Sequence, residues 1–207
     1  MSSTHYFDSV AERWDQIRKS FFSDQVREKA LSLANVEKGR TAVDVGAGTG
    51  FITEGLIQRG LHVIAVDQSE MMLAKMRKKF ARVREVDYRL GKAEKLPISG
   101  NTVDYVFANM CLHHVENPRE AVKGMVRILK PRGRLVITDL DEHSFRFLKT
   151  EHQDRWMGFK RRDVEQWFKE AGLKDVLVDC VGERCCAQSD CGGEYADVSI
   201  FVAVGEK

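Results

Sequence analysis

The sequence predicts an α/β fold built on an open, mainly parallel sheet. Three observations carry that expectation. Apolar runs of strand length alternate with segments of helical period from residue 41 to about residue 139. The first run ends in three glycines at alternate positions, Gly46, Gly48 and Gly50, directly before a helical segment. Two β-rich runs, 176–181 and 198–204, close the chain with no helix between them. Five strand–helix alternations followed by two strands place helices on both faces of one sheet.

In chain order, Val10, Trp14, Ile17 and Phe21 recur at helical spacing and predict one amphipathic first helix. Tyr6, Phe7 and Trp14 beside it are either core or a cover over a bound molecule. Ser23 is placed to cap a second helix, in which Val26, Ala30 and Leu33 share a face. Strand one is 41–45, and its helix runs to about Gln58 before Gly60 stops it. Strand two is 62–66, and Ser69 caps the helix that carries Met72, Met76 and Phe80. Strands three and four are 86–90 and 103–108, and Asn117-Pro118 opens the next helix with a cap and an N1 proline. Pro131 and Gly133 turn the chain into strand five, 135–139. Residues 140–160 are irregular and rich in His, Phe and Trp, a helix covers about 163–171, and the two last strands follow.

The glycine turn is the informative stretch. Glycine permits positive φ and lets a ligand approach the backbone, while the following helix presents free N–H groups to an anionic group. A dinucleotide fingerprint has its third glycine three places after the second. Phe51 occupies that place here and Gly50 comes one residue early, which argues against a nicotinamide dehydrogenase. Asp67 closes the second apolar run about twenty residues after the turn, where a ribose-binding carboxylate belongs.

Composition narrows the classes. At 207 residues with 43% apolar and 31% charged side chains, one soluble domain with a real core is the default. A net charge of +2 gives no nucleic-acid or membrane signal, and no apolar run approaches a membrane span. The N-terminus lacks the regions of a signal peptide, so a cytoplasmic location with five free thiols is expected. Oligomeric state is open.

With these motifs in hand, the chain resembles the class I S-adenosylmethionine-dependent methyltransferases. It is most similar to the small-molecule branch that includes ubiquinone and menaquinone biosynthesis enzymes. The resemblance rests on residues 6–15, 43–51, 66–69, 91–97 and 103–139, including Leu112-His113-His114-Val115. It implies a Rossmann-like seven-stranded sheet whose last strand is antiparallel and inserted beside the fifth, with an N-terminal helical cap. The implied layout is a single domain: cap 1–38, cofactor core 39–140, candidate lid 141–160, and a C-terminal helix and strand pair, 161–207. It also implies S-adenosylmethionine as cofactor, released as S-adenosylhomocysteine, and a small-molecule acceptor.

By position, Asp44, Gly46, Ala47, Gly48 and Gly50 would shape the methionine end, with Tyr6 and Trp14 folding over the cofactor. Asp67 would bind the ribose, with Gln68 and Met72 beside the adenine and the Ala93 N–H facing the ring. Asn109 and Met110 would sit near the sulfonium. Lys92 stands where the family has Asp, so Glu94 or the backbone would have to serve the adenine amino group. Arg132 stands where the family has glycine.

His113 and His114 follow strand four, near an acceptor's approach, and are the candidate bases for proton removal. Cys185, Cys186 and Cys191 crowd residues 182–194, read as a loop, and Cys111 leaves the same face. Soft thiolates there would suit a thiophilic ion, so a methyltransferase for arsenite or a thiol is one alternative. A non-catalytic module that binds cofactor or metal is another.

Overall fold

The computed structural model describes residues 3–207. Three helices, α1 (Ser3–Val10), α2 (Trp14–Phe21) and α3 (Gln25–Ala34), precede the sheet. Then come β1 (Thr41–Val45), α4 (Phe51–Gln58), β2 (His62–Asp67), α5 (Glu70–Lys79), β3 (Val86–Leu90) and β4 (Val103–Asn109). A 3₁₀ turn, Leu112–His114, leads to α6 (Pro118–Ile128) and β5 (Leu129–Leu140). The chain ends with α7 (Arg146–Glu151), α8 (Arg161–Glu170), β6 (Lys174–Gln188) and β7 (Tyr195–Glu206).

The seven strands form one sheet in the order β3-β2-β1-β4-β5-β7-β6. All neighbours are parallel except β7, which runs antiparallel to both β5 and β6, as the resemblance implies. From β1 the order runs to β2 on one side and to β4 on the other. Loops leaving the carboxyl ends of these strands diverge and open a crevice between them.

Side-chain alternation along the strands decides which helix covers which face. Val43 and Val45 of β1 pack with Ala121, Val122 and Met125 of α6 and with Val164 and Phe168 of α8. Ala42, on the opposite face of β1, joins Ala30 and Leu31 of α3 and Ile52 and Leu56 of α4. Ser69 caps α5 by accepting the Met72 N–H, and Asn117 caps α6 by accepting the Glu120 N–H. Among the described residues, no helix is long and apolar enough to cross a membrane.

Several expectations need correction. The single first helix is two, because Arg13 N–H turns back to Val10 O and Trp14 N–H to Ala11 O in short-range bonds that break the ladder. Ser23 lies one residue outside the cap of α3, which is Asp24, although its Oγ accepts the Gln25 N–H. Strand five begins at Leu129 rather than 135, with a register shift on β4 where the turn at 130–133 bulges. Arg132 there has φ +66°, a left-handed conformation that explains the family's glycine. The irregular stretch contains α7, too short for its periodicity to register.

The largest correction is the cysteine loop. Residues 182–188 continue β6, paired through Cys185↔Val198 and Cys186↔Asp197, and only 189–194 form the turn. Adjacent strand residues point to opposite faces. Cys185 is therefore buried beside Phe22 and Leu148, while Cys186 faces outward near Asp197, and Cys191 is exposed on the turn. The three do not converge on one ion, and all five cysteines are free.

Asp44 at the end of β1 ties strand to helix by accepting the Thr53 N–H at 2.9 Å and its hydroxyl at 2.7 Å. Burial pushes its carboxyl from an ordinary 3.8 up to about 7. The folded chain therefore holds a proton that the unfolded chain has lost, and stability falls as pH rises through the window between these values. Asp44→Asn removes that contribution. Urea midpoints at about pH 5 and about pH 8 should differ less in the variant than in the wild type. An equal drop in both would show that ionisation of Asp44 does not destabilise the fold.

Candidate functional site

A cleft enclosing about 1190 Å³, its mouth included, lies over the carboxyl ends of β1, β2 and β4. Its floor is the glycine turn. Gly46 has φ +67°, and a Cβ there would sit 2.4 Å from Cys111 Sγ, so only glycine fits between β1 and the start of the 3₁₀ turn. A Cβ on Gly48 would come within 3.4 Å of Trp14 Nε1, and that space belongs to the cleft. Gly50 is the N-cap of α4 and brings no side chain of its own, so the acceptor at the helix start comes from β1, where Asp44 takes the Thr53 N–H.

Asp67 organises the next wall. One carboxylate oxygen accepts the Gly48 N–H at 2.8 Å and the other accepts the Ser69 N–H at 2.8 Å. The glycine turn and the cap of α5 are thus fixed to one side chain. Burial raises its pKa, opposed by those backbone hydrogen bonds.

Most expected residues meet at this cleft. Gly46, Ala47, Gly48 and Asp67 line one part. Gln68, Met72, Lys92, Ala93 and Glu94 line a second. Asn109, Met110 and His114 line a third, under Trp14. Lys92 is exposed, and Glu94 already accepts the Glu116 N–H at 3.0 Å. Asp44 and Gly50 do not line the cleft. Asp44 is spent on Thr53, and Gly50 faces Phe80 and Met76. Both shape the turn from behind.

Tyr6 and His113 belong instead to an adjoining cavity of about 490 Å³. Its walls are mainly apolar, with Phe21, Leu140, Leu148, Cys185 and Ala187 among them. Phe7, Trp14, Phe22, Met110 and His114 border both spaces, so the two meet there. Tyr6 is hydrogen-bonded to His152 at 3.2 Å and pins α1 to the segment after α7. The 141–160 stretch packs down on the 3₁₀ turn. Arg155 and Trp156 N–H groups both donate to the His113 carbonyl, and the Trp156 indole donates to Val115 O.

Polar groups at this junction are densely coupled. His113 Nδ1–H donates to Asp139 Oδ1 at 2.7 Å, and its Nε2 faces Asp154 Oδ1 at 3.8 Å. Burial alone would lower the His113 imidazole, but the facing carboxylates of Asp139 and Asp154 carry it up to about 9. Burial raises Asp154 to about 6, with the His113 charge opposing. His114 Nδ1–H donates to the Gln153 carbonyl at 3.2 Å, and burial together with its charged neighbour pushes its pKa well down. A charged His113 is already protonated at neutral pH, so it is not a free base.

Asp139, Asp154 and Arg18 were not among the residues expected at the site. Asp139 had a signal, because it closes an apolar run just as Asp44 and Asp67 do. Asp154 stands with His143 and His152 in the irregular stretch, where metal ligation is one reading beside capping and a solvated lid, but its meeting with His113 depends on how that stretch folds back. Arg18 lines the cleft with its guanidinium 4.2 Å from the Phe51 ring centroid, a buried arginine in a helix that otherwise reads as a solvated face.

Comparison with known proteins places this geometry in context. Residues 43–137 match the family described as "Methyltransferase domain". A 2-methyl-6-phytyl-1,4-hydroquinone methyltransferase of Oryza sativa subsp. japonica is 31% identical over 172 residues, 81% of this chain and 49% of that protein. The demethylmenaquinone methyltransferase of Renibacterium salmoninarum is 31% identical over 154 residues, 73% of this chain and 64% of that protein. The chain thus spans about half the length of the first relative. A solved S-adenosylmethionine-dependent methyltransferase of Aquifex aeolicus shares the fold, with TM-score 0.70, 21% identity and coverage of 96% and 97%.

Asp67→Ala would orphan the Gly48 and Ser69 N–H groups together. At about 1–3 kcal/mol for each buried donor left unsatisfied, unfolding free energy should fall by roughly 2 kcal/mol or more. Urea denaturation measures it. A loss under about 0.5 kcal/mol would mean that the two loops hold without this carboxylate.

Proposed function

Since the chain belongs to the class I S-adenosylmethionine-dependent methyltransferases, in the branch its quinone-biosynthesis relatives represent, we propose that it methylates a small, largely apolar, quinol-like acceptor. The observation that carries this reading is the junction of two unlike cavities. A polar cleft built on the glycine turn opens at Met110 and His114 into an apolar one.

The cleft fits the cofactor. A Cβ at Gly48 would narrow its backbone approach, and the strand-end carboxylate of Asp67 lies beside it. Gly46, Ala47 and Gly48 would hold the methionine end, and Asp67 would hold the ribose. Gln68 and Met72 would flank the adenine, and the Ala93 N–H would address its ring. With Lys92 exposed and Glu94 Oε1 engaged at Glu116, the Ala93 backbone or the second Glu94 oxygen would serve that edge. Asn109 and Met110, which line the cleft with Trp14, would lie toward the sulfonium. When bound, S-adenosylmethionine supplies a methyl group already activated by its sulfonium.

The chain's own contribution is positioning and exclusion of water. Phe7, Trp14 and Phe22 close the space between the cavities, and Tyr6 holds that roof shut through His152. The acceptor's polar end meets His114, with His113 and Asp154 behind it, and a proton leaving the acceptor goes to this wall. His113 acts there as a positioning residue, fixed by Asp139. The alternatives of a thiophilic acceptor held by cysteines and of a non-catalytic module find no support, the first because Cys185 and Cys186 face opposite ways.

Methyl-tritiated S-adenosylmethionine incubated with protein and cell extract should label lipid-soluble small molecules. Ala187→Phe, which narrows only the apolar cavity, should cut that transfer by about tenfold or more while affinity for S-adenosylhomocysteine stays within about twofold. Label in the protein or nucleic-acid fraction would sink the acceptor reading. Tight cofactor binding with no label in any fraction would return the non-catalytic one.

A further inference from the structure

We infer that His113, His114 and Asp154 form a binding site for one divalent transition-metal ion on the wall of the apolar cavity. Three observations converge on it, and none depends on the cofactor.

The first is geometric. One donor atom from each residue lies within 4.8 Å of the others, and among the described residues this is the group of His, Cys, Asp and Glu that could hold an ion. Asp154 Oδ1 faces His113 Nε2 at 3.8 Å and His114 Nδ1 at 3.9 Å. A plain buried ion pair would draw carboxylate and imidazole to hydrogen-bond distance, as Asp139 and His113 are at 2.7 Å. Asp154 instead stands off from both rings. Donors of one tetrahedral ion with bonds of about 2.1 Å lie about 3.4 Å apart, so the two Asp154 distances close by roughly half an ångström and the widest donor pair, within 4.8 Å, by no more than about 1.4 Å. The Gln153 carbonyl oxygen, 3.2 Å from His114 Nδ1, lies beside the three donors and outside their set, which leaves a fourth position open.

The second is support behind the ligands. A metal-binding histidine commonly gives its other ring N–H to a carboxylate, which fixes the tautomer and leaves the remaining nitrogen free for the ion. Asp139 does this for His113, and it is itself held by the Leu112 and Leu140 N–H groups at 2.8 and 2.7 Å. The third is charge. Two buried carboxylates, 0% and 5% exposed, face one imidazole from its two nitrogens. Even an imidazolium leaves one negative charge over, whereas a divalent ion between neutral rings balances both. Arg155, next in sequence, lines the cleft and not this cavity.

Imidazole and carboxylate suit Zn²⁺, Co²⁺ or Ni²⁺, with no thiolate in the set. Binding requires His113 to be neutral and moves the His114 proton from Nδ1 to Nε2. Charged His113 therefore releases a proton to solvent as the ion enters. Resting on the reading given under Proposed function, the ion's open position faces the acceptor, whose hydroxyl oxygen would coordinate there.

The test uses the full chain, stripped with a chelator and then titrated with Co²⁺ alone. We expect one equivalent to be retained on dialysis, visible d–d bands of nitrogen and oxygen coordination, and no thiolate charge-transfer band. Asp154→Asn should weaken binding by more than about tenfold, and Asp139→Asn by about 10–100-fold. Cys186→Ser and Cys191→Ser should leave it unchanged. His114→Gln replaces Asp154→Asn should the latter fail to fold by circular dichroism. Retention well below one equivalent, a thiolate band, or full affinity in the Asp154 and His114 variants would overturn the site. Stoichiometric Co²⁺ without methyl transfer to any fraction would leave the ion site standing and sink the proposed function. Transfer by a chain that holds no ion would do the reverse.

Discussion

The site depends on a buried aspartate that closes a parallel strand and accepts N–H bonds from the loops leaving the sheet. Asp44 does this for the start of α4, Asp67 for the glycine turn and the cap of α5, and Asp139 for the residues around the 3₁₀ turn. Loops at strand ends carry backbone donors that burial would leave unpaired. A carboxylate has enough acceptor sites to serve two of them from one position. Three such side chains make the rim of the sheet rigid where parallel strands alone would leave it loose.

Rigidity at the rim lets the two cavities differ. Around the glycine turn, backbone is exposed and the walls are polar. Beyond Met110 the walls come from the N-terminal helices and from the β6–β7 hairpin, and they are apolar. The hairpin matters more than its sequence suggests. Cys185 and Ala187 alternate inward on β6 and pack with Phe22, Leu148 and Ile200, so the edge of the sheet is also a wall of the apolar cavity. The same alternation turns Cys186 away and dissolves the apparent thiol cluster.

The aromatic roof and the 141–160 segment meet through few contacts of specific kind. Tyr6 with His152, Phe21 edge-on to His152 at 5.2 Å, and Phe7 edge-on to His114 at 4.9 Å join the cap to the wall. Edge-to-face pairs of this sort contribute roughly 0.5–1.5 kcal/mol each beyond their burial. The same cap is tied to the other side of the cleft by the Ser69 hydroxyl donating to Asp8, the Lys75–Glu12 ion pair and the packing of Val10 and Ala11 on Met72.

The sequence by itself determined the sheet, the glycine turn, the helix caps at Ser69 and Asn117, and most residues of the cleft. These are local matters: apolar alternation, positive φ and capping act within a few residues, so their signals lie contiguous in the chain. Only the tertiary structure decided that Asp44 and Gly50 serve from behind the cleft and that Tyr6 belongs to the second cavity. It alone set the fate of the cysteines and the meeting of His113 with Asp154, which lie 41 residues apart. Strand continuation through 182–188 depends on pairing with β7, and the place of Asp154 depends on how 141–160 folds onto the 3₁₀ turn. Both are set by packing between distant segments, and no local pattern encodes that.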